Sequence, residues 1–565
     1  MKNKIIILIL ALFVASRFLL FGMVYHQDEY KWAMLANPQF HLNLTSDHPP
    51  LVGILYEVTG FAFGFNHLRL LPIFISLLNL ILVYFIAKKL YGKVAGIWAA
   101  TTLFFSVYFF VASTQIDIDG ALLPFFGLLL FFAYIQIDFK QIWSRSNRAW
   151  FIIFLLAIIG GFLIKLSFAL FVAALGTEYL LSYRPKTKEL LKTTFWVCLS
   201  ALISGLLSFV LSKIFNVNHP AQFVENATHF GFFNINKNYF QELFLTAKAL
   251  ILASPLIISG YLVGVLSKQN IIKYRFWLIY GIYNLLFYYI VFDFSNRTLE
   301  RYLMFMIIPG AIMLGSYLAE QYKAFAFSDI ANKFIFCLTA STLACLCVLS
   351  MNYSILPLNP KSAYIHALVS LHLNFLLPIT GGSGPVGFYM LVSFIVCFFV
   401  FAALAFGLHL YFKKSKPAVS IIFLTLFLSL GIVYNFVADA ELAYGSMYGS
   451  VNAVVARTVA FVNSQDSISK VITYYDIAGY ELNLSGKYYK RFYTDPMFAD
   501  SNVGKFSDYR GYYMVVDFPE IDKNSVYWKY LNTCKTVYST KDKNIFGYVF
   551  DCRAGDQSLF NADKN

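Results

Sequence analysis

Residues 5–24 read IIILILALFVASRFLLFGMV, an apolar stretch that contains one charged side chain, Arg17. A helix of this length and composition can cross the ~30 Å hydrocarbon core of a bilayer. The acidic segment that follows is not preceded by a small-residue cleavage site, so we interpret the stretch as a retained span and not as a signal peptide. Because a charge in a span is costly, Arg17 should face a polar interior.

Similar apolar stretches recur along the chain, of which 59% is hydrophobic, with a mean hydropathy of +0.63. A soluble globular protein of this length does not have this composition. The pattern therefore predicts a polytopic α-helical membrane protein. About thirteen spans are predicted, near residues 5–24, 68–87, 94–113, 120–137, 149–164, 167–183, 194–215, 246–267, 276–292, 302–319, 334–352, 387–411 and 417–437.

The distribution of Lys and Arg predicts the orientation, since short cytoplasmic loops hold the positive charges of such proteins. Placing the N-terminus in the cytoplasm puts most of the basic residues before residue 440 on the cytoplasmic side. We expect a multi-pass protein of the cell membrane (inner or plasma) whose C-terminal part lies outside. The excess of fourteen positive charges then faces anionic membrane lipids, and we expect no nucleic-acid partner.

Residues 441–565 differ from the spans before them. Short runs that alternate apolar and polar positions, such as YYMVVDF, are separated by Gly, Asn and Asp. This pattern predicts a small extracytoplasmic α/β domain at 441–565 after a membrane domain at 1–440. Cys534 and Cys552 flank a predicted hairpin, and the sequence leaves open whether they form a disulfide or remain reduced.

Acidic residues before residue 440 gather in the predicted outer loops, together with several basic ones. The first of these loops, residues 26–51, places Asp28 and Glu29 shortly after a span and a His-Pro-Pro turn before the next helix. Hydrated surface loops would explain any one of these residues. Their joint placement instead favours a convergent polar cavity at the outer face.

Five short motifs occur in a fixed order. They are DE at 28–29, HPPL at 48–51, an Asp-containing loop followed by LLPFF at 122–126, GFLIK at 161–165 and RYLMFMIIPG at 301–310. This order resembles the GT-C glycosyltransferases, especially the protein O-mannosyltransferases and the lipid A aminoarabinose transferases. The resemblance implies a GT-C fold and an enzyme that uses a polyprenyl-phosphate-sugar donor, with a lipid, glycan or protein as the acceptor.

The resemblance also implies roles for individual residues. Asp28 is expected to be the general base that takes the proton of the acceptor hydroxyl, and Glu29 either orients the acceptor or is structural. His48 either contacts the donor phosphate or caps its turn, and Asp47 is expected to hold its imidazole. Further contacts to the donor or sugar are predicted for Asp119 with Asp117 as the alternate, and for Arg297 and Tyr302. Lys165 and Arg301 either reach the donor phosphate or extend to anionic lipid headgroups.

QIDIDG, at residues 115–120, has the spacing of the DxD metal motif of nucleotide-sugar transferases. Those enzymes carry the motif on a large cytosolic domain, whereas this loop is predicted to lie outside. We therefore expect neither a metal nor a cofactor. Two other classes remain as alternatives: a transporter or flippase of lipid-linked saccharides, and a scaffold without enzymatic activity. A transporter should carry polar residues near the bilayer midplane and repeated halves, and neither pattern is evident in this sequence.

Overall fold

The computed structural model describes residues 2–18, 20–25, 28–40, 48–139, 144–214, 237–291, 300–322, 327–356, 362–378, 388–474, 476–492, 509–517 and 523–556. Most of these residues are helical, as expected for apolar segments whose backbone must be hydrogen-bonded within the segment itself. The helices up to residue 291 are α1 (Lys2–Phe18), α2 (Asp28–Ala36), α3 (Leu51–Phe63), α4 (Leu70–Tyr91), α5 (Lys93–Phe104), α6 (Val107–Thr114), α7 (Leu122–Tyr134), α8 (Arg145–Ile164), α9 (Phe168–Tyr183), α10 (Thr187–Ile214), α11 (Tyr239–Ala253), α12 (Pro255–Val265), α13 (Lys268–Lys273) and α14 (Arg275–Val291).

A 3-10 helix at Glu300–Met306 leads into the remaining helices. These are α15 (Ile307–Tyr322), α16 (Phe327–Leu349), α17 (Ser362–Val369), α18 (Val392–Phe412), α19 (Pro417–Tyr444), α20 (Val451–Ser464), α21 (Gly479–Leu484) and α22 (Val526–Leu531). In the part of the chain that the structure describes, seven helices are long and apolar enough to cross a membrane, or up to nine if each of two bent pairs is one span. The count of thirteen spans therefore stays a prediction.

Two segments that the sequence predicts as single spans are each broken into two helices. The predicted span at 94–113 is formed by α5 and α6, which meet at 70° because Ser106 adopts an extended backbone and interrupts the helical hydrogen bonds. The predicted span at 246–267 breaks at Ser254. Pro255 cannot donate a backbone hydrogen bond there, and the Ser254 hydroxyl accepts one from the Leu256 amide at 3.1 Å, so a new helix begins.

Two compact units emerge from the contacts within the chain: residues 1–21, 35–339 and 401–436 form the first, and residues 22–34, 340–400 and 437–565 form the second. In the first unit, α15 packs against α5 and α12. A Cβ atom on Gly315 would collide with the Ala99 backbone, and one on Gly260 with the Gly310 backbone. Small residues at these positions let the helices approach closely, as is common inside membranes.

Arg17 is buried in the first unit, with a side chain that is 1% exposed. Its Nε donates to the Ser113 hydroxyl at 3.0 Å and its Nη1 donates to the Ser16 hydroxyl at 2.8 Å. The guanidinium carbon lies 4.5 Å from the ring centres of both Phe13 and Phe110. Hydroxyl and aromatic groups therefore surround this charge, which the sequence alone could not establish.

The second unit contains a two-stranded pair, β1 (Leu376–Pro378) and β2 (Tyr389–Leu391), and a five-stranded mixed sheet. The sheet comprises β3 (Val471–Tyr474), β4 (Tyr488–Phe492), β5 (Tyr512–Asp517), β6 (Lys535–Asp542) and β7 (Ile545–Asp551), in the order β4-β3-β5-β7-β6. Strand β3 is parallel to both β4 and β5, and β7 is antiparallel to β5 and β6. Helix α20 packs against β6 and β7.

A disulfide joins Cys534 and Cys552, whose Cα atoms are 4.7 Å apart. It closes the base of the β6-β7 hairpin and resolves the alternative that the sequence left open. The division into domains at 1–440 and 441–565 stays a prediction.

Candidate active site

The loop that leads into α7 is held in place by two neighbouring helices. Tyr56, on α3, donates its hydroxyl to the backbone oxygen of Asp117 at 3.0 Å, and the Asn79 side-chain amide, on α4, donates to the backbone oxygen of Ala121 at 2.9 Å. A Cβ atom on Gly120 would collide with α6, so glycine allows the loop to fold back onto that helix. These contacts fix the position of the intervening carboxylate, Asp119.

Asp119 forms an ion pair with Lys165 through both of its carboxylate oxygens. The Lys165 Nζ lies 2.7 Å from each carboxylate oxygen, and the two side chains are 14% and 7% exposed for Lys165 and Asp119 respectively. Lys165 reaches this position because α8 ends at Ile164 and the Lys165 backbone is extended. Charges this deeply buried are tolerated when they are paired in good geometry.

Tyr302 lies beside this ion pair and forms a cluster with Asp119 and Lys165. The Lys165 Nζ lies 5.6 Å from the centre of the Tyr302 ring, and that ring lies 5.4 Å from the ring of Tyr288. An ammonium near an aromatic face is stabilised by the ring quadrupole. Three residues predicted from separate loops, Asp119, Lys165 and Tyr302, are therefore brought together in the first unit.

A narrow pocket, with enclosed space for about one water molecule, lies beside this cluster. Its aromatic and apolar wall includes Phe168, Phe171 and Phe305, and its polar lining consists of Asp119, Ser167, Tyr280, Asn284, Tyr288 and Tyr302. Tyrosine rings offer an apolar face together with a hydroxyl that can donate or accept a hydrogen bond. A cavity with such a lining suits a ligand that has both apolar surface and several hydroxyl or phosphate oxygens.

Electrostatically, the cluster combines one ammonium with one carboxylate. An ammonium can bind a phosphate oxygen, and a carboxylate can accept hydrogen bonds from sugar hydroxyls. The ion pair keeps the ligand-free cavity close to neutral. A bound phosphate would add negative charge beside Lys165 and would compete with Asp119 for its three donor hydrogens.

The start of the first loop belongs to the second unit, which contains residues 22–34. Helix α2 begins at Asp28, and its sequence DEYKWAMLA combines acidic residues in the first turn with the helix formers Ala, Met and Leu. The Glu29 side chain is 3% exposed. The Asp28 side chain lies outside the described residues, so its predicted role as general base remains a prediction.

The other predicted site residues are only partly described. His48 is half-buried and lies just before α3, with Pro50 at the start of that helix. Asp117 is buried, with 3% of its surface exposed, and it precedes Asp119 by two residues. Asp47, Arg297 and the Arg301 side chain lie outside the described residues.

Sequence reasoning missed four polar residues of the cavity lining: Ser167, Tyr280, Asn284 and Tyr288. Asn284 could have been found, because an amide within the apolar segment of α14 is expensive unless it serves a purpose. The Asn284 Nδ2 donates to the Tyr280 backbone oxygen at 2.9 Å. The tyrosines carried no such signal, since the chain contains 39 of them.

Potential metal ligands do not cluster in the described ranges, where no group of three or more His, Cys, Asp or Glu residues could hold an ion. The Asp119 carboxylate of the DxD-like sequence instead pairs with Lys165. The expectation that the protein needs no metal or cofactor stays a prediction.

Comparison with known proteins identifies a family whose model matches part of this chain. Residues 47–213 match the family described as dolichyl-phosphate-mannose-protein mannosyltransferase. This range contains both partners of the Asp119–Lys165 ion pair. No curated protein matches the sequence significantly.

Two solved structures of ArnT from Cupriavidus metallidurans are similar in fold. The apo structure aligns with a TM-score of 0.55 at 14% identity and covers 98% of this chain and 98% of that chain. The structure bound to undecaprenyl phosphate aligns with a TM-score of 0.55 at 14% identity and covers 96% of this chain and 97% of that chain. At this identity the likeness establishes the fold. The resemblance predicted from the order of motifs is confirmed to this extent: residues 47–213 match the mannosyltransferase family, and the chain has the fold of ArnT.

Proposed function

We propose that the protein is a membrane glycosyltransferase that transfers a sugar from a polyprenyl-phosphate-linked donor to an acceptor on the extracytoplasmic face. The observation that carries this proposal is the convergence of Asp119, Lys165 and Tyr302 beside the aromatic pocket, with the ion pair inside the segment that matches the mannosyltransferase family. The proposal includes about thirteen spans and a cytoplasmic N-terminus. It also includes an extracytoplasmic domain at residues 441–565, which contains the five-stranded sheet and is called the sheet domain below. The Cys534–Cys552 disulfide supports that location, because disulfides persist in oxidising compartments.

A lipid-linked donor suits the outer face of a membrane. Nucleotide sugars are cytosolic, so transfer on the outer face requires a sugar that has crossed the membrane on a lipid carrier. One of the two ArnT structures has undecaprenyl phosphate bound, and such a molecule combines an anionic phosphate with an apolar chain. Lys165, which pairs with an Asp119 that lines the aromatic pocket, offers matching chemistry for the phosphate of such a donor.

The reaction is proposed to be a single displacement. Asp28 takes the proton of the acceptor hydroxyl while the acceptor oxygen attacks the anomeric carbon, and the bond between that carbon and the phosphate oxygen breaks. The polyprenyl phosphate leaves with the bonding electrons, stabilised by Lys165 and, in this proposal, by His48, Arg297 and Arg301. Asp119 and Tyr302 contact the sugar. One displacement inverts the configuration at the anomeric carbon.

Transfer of radiolabelled sugar from polyprenyl-phosphate donors by the purified full-length protein tests the proposal. Membrane extract serves as the acceptor source, and the donors compared carry mannose, an amino sugar or a pentose. We expect wild type to label an acceptor and Asp28→Asn to lose at least about 100-fold in rate while it remains folded. Asp466→Asn, the same change at an exposed carboxylate of the second unit, is the matched control and should retain full activity.

Two outcomes would contradict the proposal. Full activity of Asp28→Asn would remove Asp28 as the base. A wild-type protein that transfers no sugar from any donor, yet moves labelled lipid-linked saccharide between the leaflets of a liposome, would identify a transporter instead.

A further inference from the structure

Residues 22–34, which include the start of α2, belong to the same compact unit as the sheet domain. The Tyr25 amide donates to Glu481 Oε1 at 3.4 Å, and the Tyr25 ring lies 5.2 Å from the ring of Tyr480. Both partners are on α21, the helix that follows β3. The segment that carries the proposed general base is therefore held by residues about 450 positions later in the sequence.

Tyr30 makes the second set of contacts. Its hydroxyl accepts a hydrogen bond from the Asn483 Nδ2 at 3.2 Å, and its ring lies 5.6 Å from the ring of Tyr488 on β4. The side chain of Tyr30 is buried at 8% exposure. A Cβ atom on Gly479 would lie 3.0 Å from the Tyr30 ring, so the ring fills its site on the sheet domain with little room to move.

Tyr488 is itself fixed by a buried carboxylate. The Tyr488 hydroxyl donates to Asp476 Oδ1 at 2.5 Å, and the Arg491 Nη1 donates to Asp476 Oδ2 at 2.7 Å. Asp476 is 2% exposed, so the charge of Arg491 offsets the cost of burying the carboxylate. Both oxygens are engaged, which leaves the carboxylate with one defined orientation.

The backbone at Asp476 is in the left-handed region, with φ of +58°, and Ala478 follows with φ of +61°. Neither residue is a glycine, so each costs of order 1 kcal/mol or more and persists because surrounding contacts determine it. The strained turn places the Asp476 carboxylate within reach of both Tyr488 and Arg491. Strain of this kind is often found where a side chain must be held for function.

We propose that Asp476, Tyr488 and Arg491 form a positioning network, which holds Tyr30 and through it the first turn of α2, where Asp28 and Glu29 lie. This inference deepens the proposed function and depends on it for the catalytic role of Asp28. A helix is stiff over one turn of 3.6 residues, so a fixed Tyr30 ring fixes the backbone two residues before it. The network thus orients the proposed base, and a displacement of about 1 Å at a reacting group can cost about 100-fold in rate.

Tyr488→Phe tests the network with the smallest change. It retains the ring beside Tyr30 and removes the hydroxyl, which donates to Asp476 and also hydrogen-bonds to Tyr30. We expect hydrogen exchange of the amides of residues 30–34 to become at least about tenfold faster and kcat to fall about tenfold, with the KM for the donor within about twofold of wild type. Tyr538→Phe is the matched control, because Tyr538 lies on β6 at the opposite edge of the same sheet. It should change neither quantity.

A double-mutant cycle separates positioning from general stability. If the network acts through Tyr30, then Tyr488→Phe should have little further effect on kcat in a Tyr30→Ala background, whereas a purely structural role would give additive effects. Arg491→Lys retains a charge beside Asp476 and should recover part of the rate that Arg491→Met loses.

The hydrogen-exchange measurement distinguishes a failure of the positioning network from a failure of the proposed function. If wild type transfers no sugar, the proposed function fails, while faster exchange at residues 30–34 in Tyr488→Phe still supports the positioning network. If wild type is active, unchanged exchange and unchanged kcat in Tyr488→Phe overturn the network and leave the proposed function intact.

Discussion

The ammonium group of Lys165 lies 2.7 Å from both carboxylate oxygens of Asp119, although 46 residues separate the two in the chain. The pair joins the end of α8 to the loop before α7 in the first unit. Both side chains are largely withdrawn from solvent, so each charge depends on the other.

Removing one partner of this pair should destabilise the protein. Lys165→Met leaves the Asp119 carboxylate without its cation, and we expect unfolding to become easier by about 3 kcal/mol, seen as a melting temperature several degrees lower in detergent. The double variant Asp119→Leu/Lys165→Met should recover most of the loss without recovering sugar transfer. A single variant as stable as wild type would show that the pair does not hold the loop.

The ring of Tyr302 should matter more than its hydroxyl for holding Lys165. Tyr302→Phe retains the aromatic face near the ammonium, whereas Tyr302→Ala removes it. We expect the KM for the lipid-linked donor to rise about tenfold in Tyr302→Ala and less than about threefold in Tyr302→Phe, consistent with the energy of a cation–π contact. Steady-state kinetics with graded donor concentrations measures both, and equal effects in the two variants would assign the role to the hydroxyl.

The stability of the second unit should depend on pH through Tyr488. Burial, and then the nearby Asp476 carboxylate, raise the pKa of the Tyr488 hydroxyl above its ordinary value of 10.0. Its contribution to stability is therefore fully present below pH 10 and is lost as the pH rises through the folded-state pKa. Between pH 10 and 11.5 the melting temperature of wild type should fall more steeply than that of Tyr488→Phe. Parallel curves would contradict the assignment.

The disulfide at the base of the β6-β7 hairpin should stabilise the sheet domain. Cys534 and Cys552 are 18 positions apart, and closing a loop of this size is expected to contribute about 3 kcal/mol. Cys534→Ser should lower the melting temperature of this unit, and a reductant should lower it in wild type but not in the variant. Cys198→Ser is the control, since Cys198 is a free thiol: this variant should melt as wild type does and should respond to the reductant in the same way.

Much of the fold could be predicted from the sequence because the cost of exposing backbone polar groups to lipid leaves apolar segments few alternatives to a helix. Most predicted spans contain a helix with similar bounds, such as α4 for 68–87 and α10 for 194–215. The breaks at Ser106 and Ser254 were missed because average hydropathy does not register one extended residue. At Ser254 the following proline was a usable signal.

The candidate site, like the fold, could be predicted from the sequence only in part. The sequence by itself indicated a chain of apolar helices and, together with the resemblance in motif order, gave Asp119, Lys165 and Tyr302 as candidate site residues, since charged and polar residues at the edges of apolar segments stand out against their surroundings. Only the tertiary structure decided which of them meet, because the pairing of Asp119 with Lys165 depends on where α8 ends and on the contacts that fold the α7 loop. The docking of Tyr30 beside Tyr488 had no local signal at all: it joins residues more than 450 positions apart, and side chains so distant in sequence are brought together by packing alone.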